Sequence, residues 1–352
     1  MSNDRTKGIP YTRKIILSLT PLLIALLLLE LGGRTVYYQR RSGYPFALIH
    51  IYHFVLNKKK EYELKKGIDQ YLLQAPQDPF QHYVDFFESP ELEETRKKFF
   101  HRYEMIFGHF VQLCKDTDVR QVILYIPSSY SPSSRTGREI SRKFFSDLAR
   151  KYKLPYLDVT EKFSAFPNHI THLWPHNGHL SRFGNKLIAD TLGIFLAPLL
   201  SYRSKISYND RPVLLGDMKP SEFLLREIVP SMPYRVITNS QGLRRTSDIV
   251  FPKPDNKCRI LFIGDSFTQG AYLPNHDSFP QLLEEAVTSI EAINSGIGGY
   301  TICDEYSYYK EKGKYIEPDI VVLQVLDNDL YGFYPFKQKM FCRGGEFCIH
   351  PN

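Results

Sequence analysis

Apolar residues occur in three arrangements along this chain. There is one long run near the start, there are stripes spaced by three and four, and there are short dense blocks closed by Gly, Pro or Asp. The stripes read as amphipathic helices and the blocks as buried strands. Ser89-Pro90-Glu91 predicts a helix start, with Ser at the N-cap, Pro in the first turn and acids around it. Phe99, Tyr103, Ile106, Phe110 and Leu113 then share one face, and residues 116–118 close the helix. A buried strand is predicted over 119–126, stopped by Pro127. A polar loop follows over 128–137, then a helix over 139–152, a short strand over 155–159 and a long helix over 182–200.

Residues 201–232 have several prolines and no period, and read as a connector. Beyond it the alternation resumes. Strands are predicted over 259–263, 291–294 and 319–326, and helices over 279–288 and 301–315. Strand–helix alternation on both sides of the connector predicts an α/β fold: one doubly wound parallel sheet with helices on both faces.

The long run, 15–29, is almost purely apolar, and extended to Tyr38 it can cross a bilayer with Glu30 near one interface. The rival is a cleaved signal peptide. No small-x-small cleavage site follows, which favours a retained single-pass anchor. Basic residues flank both ends and only slightly favour a cytosolic N-terminus. The expected organisation is therefore a cytosolic tip and anchor over 1–40, then one domain over 41–352. The domain would have halves at 41–200 and 233–352, and would face the periplasm or cell exterior.

The 352 residues, 43% apolar and 14% aromatic, suffice for a packed core. The net charge of +7 is scattered and accompanied by no reading motif, which argues against a nucleic-acid partner. No CxxC or HExxH pattern is present, so neither a metal nor a cofactor is expected. Cys342 and Cys348 bracket a turn and could pair outside the cytosol; two separate thiols are the alternative.

The most informative stretch is Arg259-Ile-Leu-Phe-Ile-Gly-Asp-Ser-Phe-Thr-Gln-Gly270, a buried strand running into Gly-Asp-Ser. The glycine permits a sharp turn, and Ser266 emerges at the carboxyl end of the strand. There its hydroxyl is exposed and its own N–H can help bind an oxyanion. Two further blocks follow, each at a strand end: Asn294-Ser-Gly-Ile-Gly-Gly-Tyr-Thr301 and Val325-Leu-Asp-Asn-Asp329.

These three blocks together resemble the SGNH (GDSL-like) hydrolases. The resemblance implies an SGNH/flavodoxin-like sheet, Ser266 as nucleophile, and an oxyanion hole from Ser266, Gly299 and Asn328. It also implies a histidine block, which in the family usually follows near the domain's C-terminus. Downstream of Asn328 stands only His350, with no aspartate beside it. The match lies upstream, in Trp174-Pro-His-Asn-Gly-His-Leu-Ser-Arg-Phe-Gly-Asn-Lys-Leu-Ile-Ala-Asp190, with His179 as the catalytic histidine. The order resembles a circular permutation, as in the alginate O-acetyltransferase relatives; two truncated tandem domains are the rival.

The family places an aspartate two or three residues before the histidine. Here those positions hold Asn177 and His176. Asparagine can orient an imidazole but cannot offset its positive charge. Three readings follow: another carboxylate supplies the charge, a Ser–His dyad works slowly, or the chain is a non-catalytic binding or scaffold protein. The enzyme reading expects an ester or carbohydrate substrate, an esterase or O-acyltransferase activity, and an acyl-donor partner that no motif identifies. Trp174, Tyr272, Tyr300, Tyr331 and Tyr334 lie near the blocks and could stack on sugar rings or simply pack.

Overall fold

The strand blocks are hydrophobic along their whole length, so each must be covered on both faces. The computed structural model shows how this is met. It describes residues 86–128, 135–173, 178–226 and 233–331. The chain divides into two units, Met1–Pro76 and Gln77–Asn352, and all described residues belong to the second. The expected anchor, the histidine-block residues Trp174, His176 and Asn177, Tyr334, and the Cys342–Cys348 turn lie outside the described residues. Among the described residues no helix is long and apolar enough to cross a membrane.

In chain order the main elements are α1 (Glu93–Asp116), β1 (Arg120–Tyr125), α2 (Arg135–Tyr152), β2 (Tyr156–Asp158), α3 (Thr160–Ser164), α4 (Asn168–Thr171) and α5 (Arg182–Leu196). Then come β3 (Phe223–Arg226), β4 (Tyr234–Ile237), β5 (Cys258–Ile263), α6 (Ser266–Gln269), α7 (Phe279–Ala286), β6 (Ile290–Asn294), α8 (Ile302–Glu311), β7 (Ile320–Val325) and α9 (Asn328–Tyr331). Five strands form one sheet in the order β2-β1-β7-β5-β6, with every pairing parallel.

Alternate residues of each central strand serve opposite faces. Ile123, Leu261, Ile263, Val321 and Leu323 point into one core, with Phe107 and Phe110 of α1, Phe145 of α2 and Tyr309 of α8. Val122, Leu124, Ile260, Phe262 and Val322 point into the other, with Ile188 and Leu192 of α5 and Leu283 of α7. The two halves of the sequence thus build one sheet, with β7 of the later half pairing along β1 of the earlier one.

Several expected boundaries move. Residues 135–137, expected in a loop, begin α2. The helix expected over 301–315 ends at Glu311 and tightens into a 3₁₀ turn at Gly313–Ile316. The larger difference is the connector 201–232. It contains β3, which pairs antiparallel with β4 as a separate two-stranded sheet. β3 is mostly exposed and β4 alternates over only four residues, too short a stretch for a period to mark either strand.

Charge is segregated along the strands. At the amino edge, Arg259 is fully buried and its guanidinium donates to Glu291 Oε2 at 2.7 Å, Ile316 O at 2.8 Å and Val250 O at 2.9 Å. Asp319 beside it accepts from the backbone N–H of Arg259 and of Ser204, both at 2.8 Å, and from Lys253. The carboxyl edge is left for the loops that carry the candidate site, where ligands of open α/β sheets bind.

Candidate active site

β5 delivers the chain into Gly264, and the fit there is tight. A Cβ on Gly264 would lie 2.5 Å from both Gln324 Oε1 and Thr268 Oγ1. Asp265 caps the short helix α6, its Oδ1 accepting from Phe267 N–H at 2.9 Å. Ser266 is the first residue of α6, half-buried, and the turn ends on Gly270 at φ +73°. Arg244 fixes the loop beyond: its guanidinium donates to the carbonyls of Gln269, Gly270 (2.8 Å) and Leu273, and to Asn275 Oδ1 at 3.2 Å.

The second and third blocks are stitched onto the first. Asn294 donates to Thr268 O at 2.9 Å, and Ile297 N–H donates to Gly264 O at 3.1 Å. Gln324 Oε1 accepts from the Thr268 hydroxyl at 2.9 Å and its N–H at 3.2 Å. Asn328, after β7, donates to Asp265 Oδ2 at 3.3 Å. Asn328 therefore stands against the residue that precedes Ser266, with a second amide hydrogen to offer.

His179 arrives from the other half of the sequence. Its backbone oxygen accepts from Leu173 N–H at 2.8 Å, and an isolated bridge joins His172 to Leu180. Ser181 then caps α5, accepting from Gly184 N–H at 3.0 Å. Held between bridge and cap, His179 places Nε2 2.8 Å from Ser266 Oγ, although the two are 87 positions apart. Phe267 and Tyr272 crowd the ring, with centroids at 5.3 and 4.8 Å. This burial lowers the imidazole to about 4 from its ordinary value near 6.5. The ring is neutral at pH 7 and can take a proton from the serine.

A cleft of about 180 Å³ opens over Ser266, with Met218, Tyr234, Val236, Ala271 and Tyr272 on its walls. Gly298 also lines it: a Cβ there would lie 3.6 Å from Ser266 Cβ. Gly299, the residue named by the family resemblance, has φ +83° and opens on a separate cavity of about 340 Å³ beside Asp217 and Tyr300. Tyr300 is engaged there, donating to Asp217 Oδ2 at 2.6 Å.

Beneath the nucleophile lie three carboxylates, Asp265, Glu305 and Asp329, each more than nine-tenths buried. Burial first, and mutual repulsion second, push Glu305 and Asp329 well above the ordinary carboxylate range. Burial also raises Asp265, partly offset by the Phe267 N–H and the Asn328 amide.

The sequence did not point to His172, Met218, Tyr234 or Gly298. His172 is buried behind the His179 loop, its Nδ1 2.9 Å from Thr171 Oγ1 and its Nε2 3.3 Å from Pro127 O. The Asp158 carboxylate, at the end of β2, is engaged by Arg142 and by the Thr160 N–H at 2.9 Å.

No family model and no curated protein matches the sequence. Among solved structures, the chain is similar to the O-acetyltransferase domain of Pseudomonas putida AlgJ, at 13% identity and a TM-score of 0.44, covering 70% of this chain and 88% of that one. It is similar to Pseudomonas aeruginosa AlgX at 14% identity and a TM-score of 0.38, covering 63% of this chain and 55% of AlgX. Bacillus cereus PatB1 is similar at 12% identity and a TM-score of 0.36, covering 66% and 90%.

Proposed function

We propose that this chain is a serine acyl-ester enzyme of the SGNH type, an esterase or O-acyltransferase. The observation that carries the reading is the 2.8 Å approach of His179 Nε2 to Ser266 Oγ at the carboxyl edge of a parallel sheet. Ser266 Oγ attacks the ester carbonyl while His179 takes its proton, then returns it to the leaving alcohol. The developing oxyanion is met by the Ser266 N–H, a donor from the Gly298–Gly299 segment and the second amide hydrogen of Asn328. Water or a sugar hydroxyl then takes the acyl group from the serine. Asn177 and His176 are the in-motif groups to orient the imidazole.

Acetyl transfer is the activity named for the AlgJ domain, and it is brought to this chain as the reaction to test. The sheet order supports a permuted arrangement: counted from β5, the strands lie in the order 2-1-3-4-5, the flavodoxin-like order. An anchor over residues 15–37, with the domain outside the cytosol and an acylated envelope carbohydrate as substrate, completes the proposal.

The test is acetate release from 4-nitrophenyl acetate and from an O-acetylated sugar. The wild type should turn both over, and Ser266→Ala and His179→Ala should abolish turnover. Equal rates for wild type and Ser266→Ala would remove the enzyme reading.

A further inference from the structure

Beside the nucleophile cleft lies the second cavity, of about 340 Å³, and the proposed reaction makes no use of it. The two share Gly298, where a Cβ would lie 3.6 Å from Ser266 Cβ. A substrate held at Ser266 can therefore run over the Gly298–Gly299 segment into this cavity. Its volume falls at the small end of ligand pockets.

One wall is a single face of α8. Ser307, Tyr308 and Glu311 follow Asp304 by three, four and seven positions, so the four stack along one side of the helix, and all of them line the cavity. Asp217 and Tyr300 add to the lining. Among the described residues that line it, three carry carboxylates and none is a cation. Asp217 is paired from outside with Lys312 at 2.6 Å. Asp304 accepts from the N–H and the hydroxyl of Thr301, at 3.1 and 2.9 Å, and these neutral donors leave its charge uncompensated. Glu311 is exposed and forms no ion pair among the described residues.

Between these two carboxylates on the helix face stands Ser307. It is 8% exposed, and its hydroxyl has no hydrogen-bond partner among the described residues. A polar group buried on a cavity wall without a protein partner is satisfied by what enters the cavity.

We infer that this cavity is a subsite for a sugar unit bearing a protonated amine, next to the unit whose ester Ser266 attacks. The ammonium meets Asp304 and Glu311, and a ring hydroxyl meets Ser307 Oγ. An ammonium offers three donors and no acceptor, which matches a lining of acceptors; a carboxylate or phosphate would be repelled there. The substrate class is then an acyl ester of a carbohydrate with free amino groups. This inference rests on the serine-enzyme reading above and deepens it.

The experiment compares acetate release by the full chain from O-acetylated tetramers of glucosamine, of N-acetylglucosamine and of glucose. At a pH where the amines are protonated, the wild type should favour the glucosamine ester by about tenfold in kcat/KM, the scale of one charge-assisted hydrogen bond. The preference should shrink as salt is raised and vanish as the amines are neutralised at higher pH. Glu311→Gln should bring the ratio towards one, through KM more than kcat, and Glu311→Lys should invert it. Unesterified glucosamine dimer should compete with the glucosamine ester better than spermidine, an amine without a ring. Competition by spermidine alone would assign the cavity to a free polyamine and overturn the inference.

A wild type with no preference for the amine-bearing ester, or a preference that both Glu311 variants leave intact, also overturns it, while Ser266-dependent release from the glucose ester leaves the enzyme reading standing. If no ester is released faster by wild type than by Ser266→Ala, both fall together.

Discussion

Gly296 packs so closely on Gln269 that a Cβ would sit 2.3 Å from the Gln269 backbone nitrogen. The next atom is also backbone, with Thr268 C at 2.7 Å, so nothing flexible can move aside. This contact presses the loop after β6 onto the helix that begins at Ser266. Gly296→Ala should displace that helix and lower both stability and activity, by about 1–3 kcal/mol for overpacking. Gly299→Ala should instead show only the strain of a positive φ, about 1–2 kcal/mol, since a Cβ there meets nothing within 4 Å. Urea unfolding of both variants, together with their activity, checks the contrast; an unperturbed Gly296→Ala would contradict the tight fit.

The pH dependence follows from the buried imidazole. Catalysis needs His179 neutral, and burial holds its protonation near pH 4. Acylation should therefore stay near its plateau through pH 6 and fall as the pH drops towards 4. A pH profile of kcat/KM measures this, and a half-point near 6.5 would contradict the buried geometry.

The same burial has a cost in stability with a defined sign. His172 is also lowered to about 4, again by burial first. Unfolded, both histidines titrate near 6.5. Between pH 6.5 and 4 each of these histidines binds more protons in the unfolded chain, so its contribution to stability falls as pH falls through that window, while the raised Glu305 and Asp329 carboxyls contribute the opposite slope. The histidine share is read as a difference: melting temperature in wild type should change less favourably on acidification across this window than in His172→Asn.

Asn328→Ala removes the proposed oxyanion donor and should lower kcat about 10²–10³-fold with a smaller change in KM. Asn328→Asp should do worse, because it sets a carboxylate against Asp265, which Asn328 contacts at 3.3 Å. Steady-state kinetics on 4-nitrophenyl acetate check both. A loss confined to KM would place Asn328 in ground-state binding only.

At the opposite edge of the sheet, Arg259 is fully buried against Glu291. Arg259→Met leaves Glu291 with only the more distant Arg245, at 4.0 Å, and should cost about 3–5 kcal/mol in urea unfolding. Adding Glu291→Met should recover part of the loss. Strict additivity of the two changes would show that the residues do not act as a pair.

The parallel sheet was legible because its strands are buried on both faces and read as dense apolar blocks. Ser266 and His179 stood out through short local motifs, and their meeting needed the sheet to join β1 to β7. The hairpin bearing Arg226 and Tyr234 was not legible. Its strands are four residues long and half-exposed, and proline-bearing sequence separates them. The turns at Ser266–Gln269 and Asn328–Tyr331 are likewise too short to show a helical period. Between Gly298 and Gly299 no motif can choose, since position beside Ser266 depends on the backbone at φ +83°.

Activation of Ser266 by His179 underlies the whole functional reading. Intact-mass and peptide mass spectrometry after treatment with a fluorophosphonate probe reads it out. A single adduct is expected on the peptide carrying Ser266, absent in Ser266→Ala and strongly slowed in His179→Ala. Labelling that is absent from wild type, or unchanged in His179→Ala, would show that the histidine does not activate this serine.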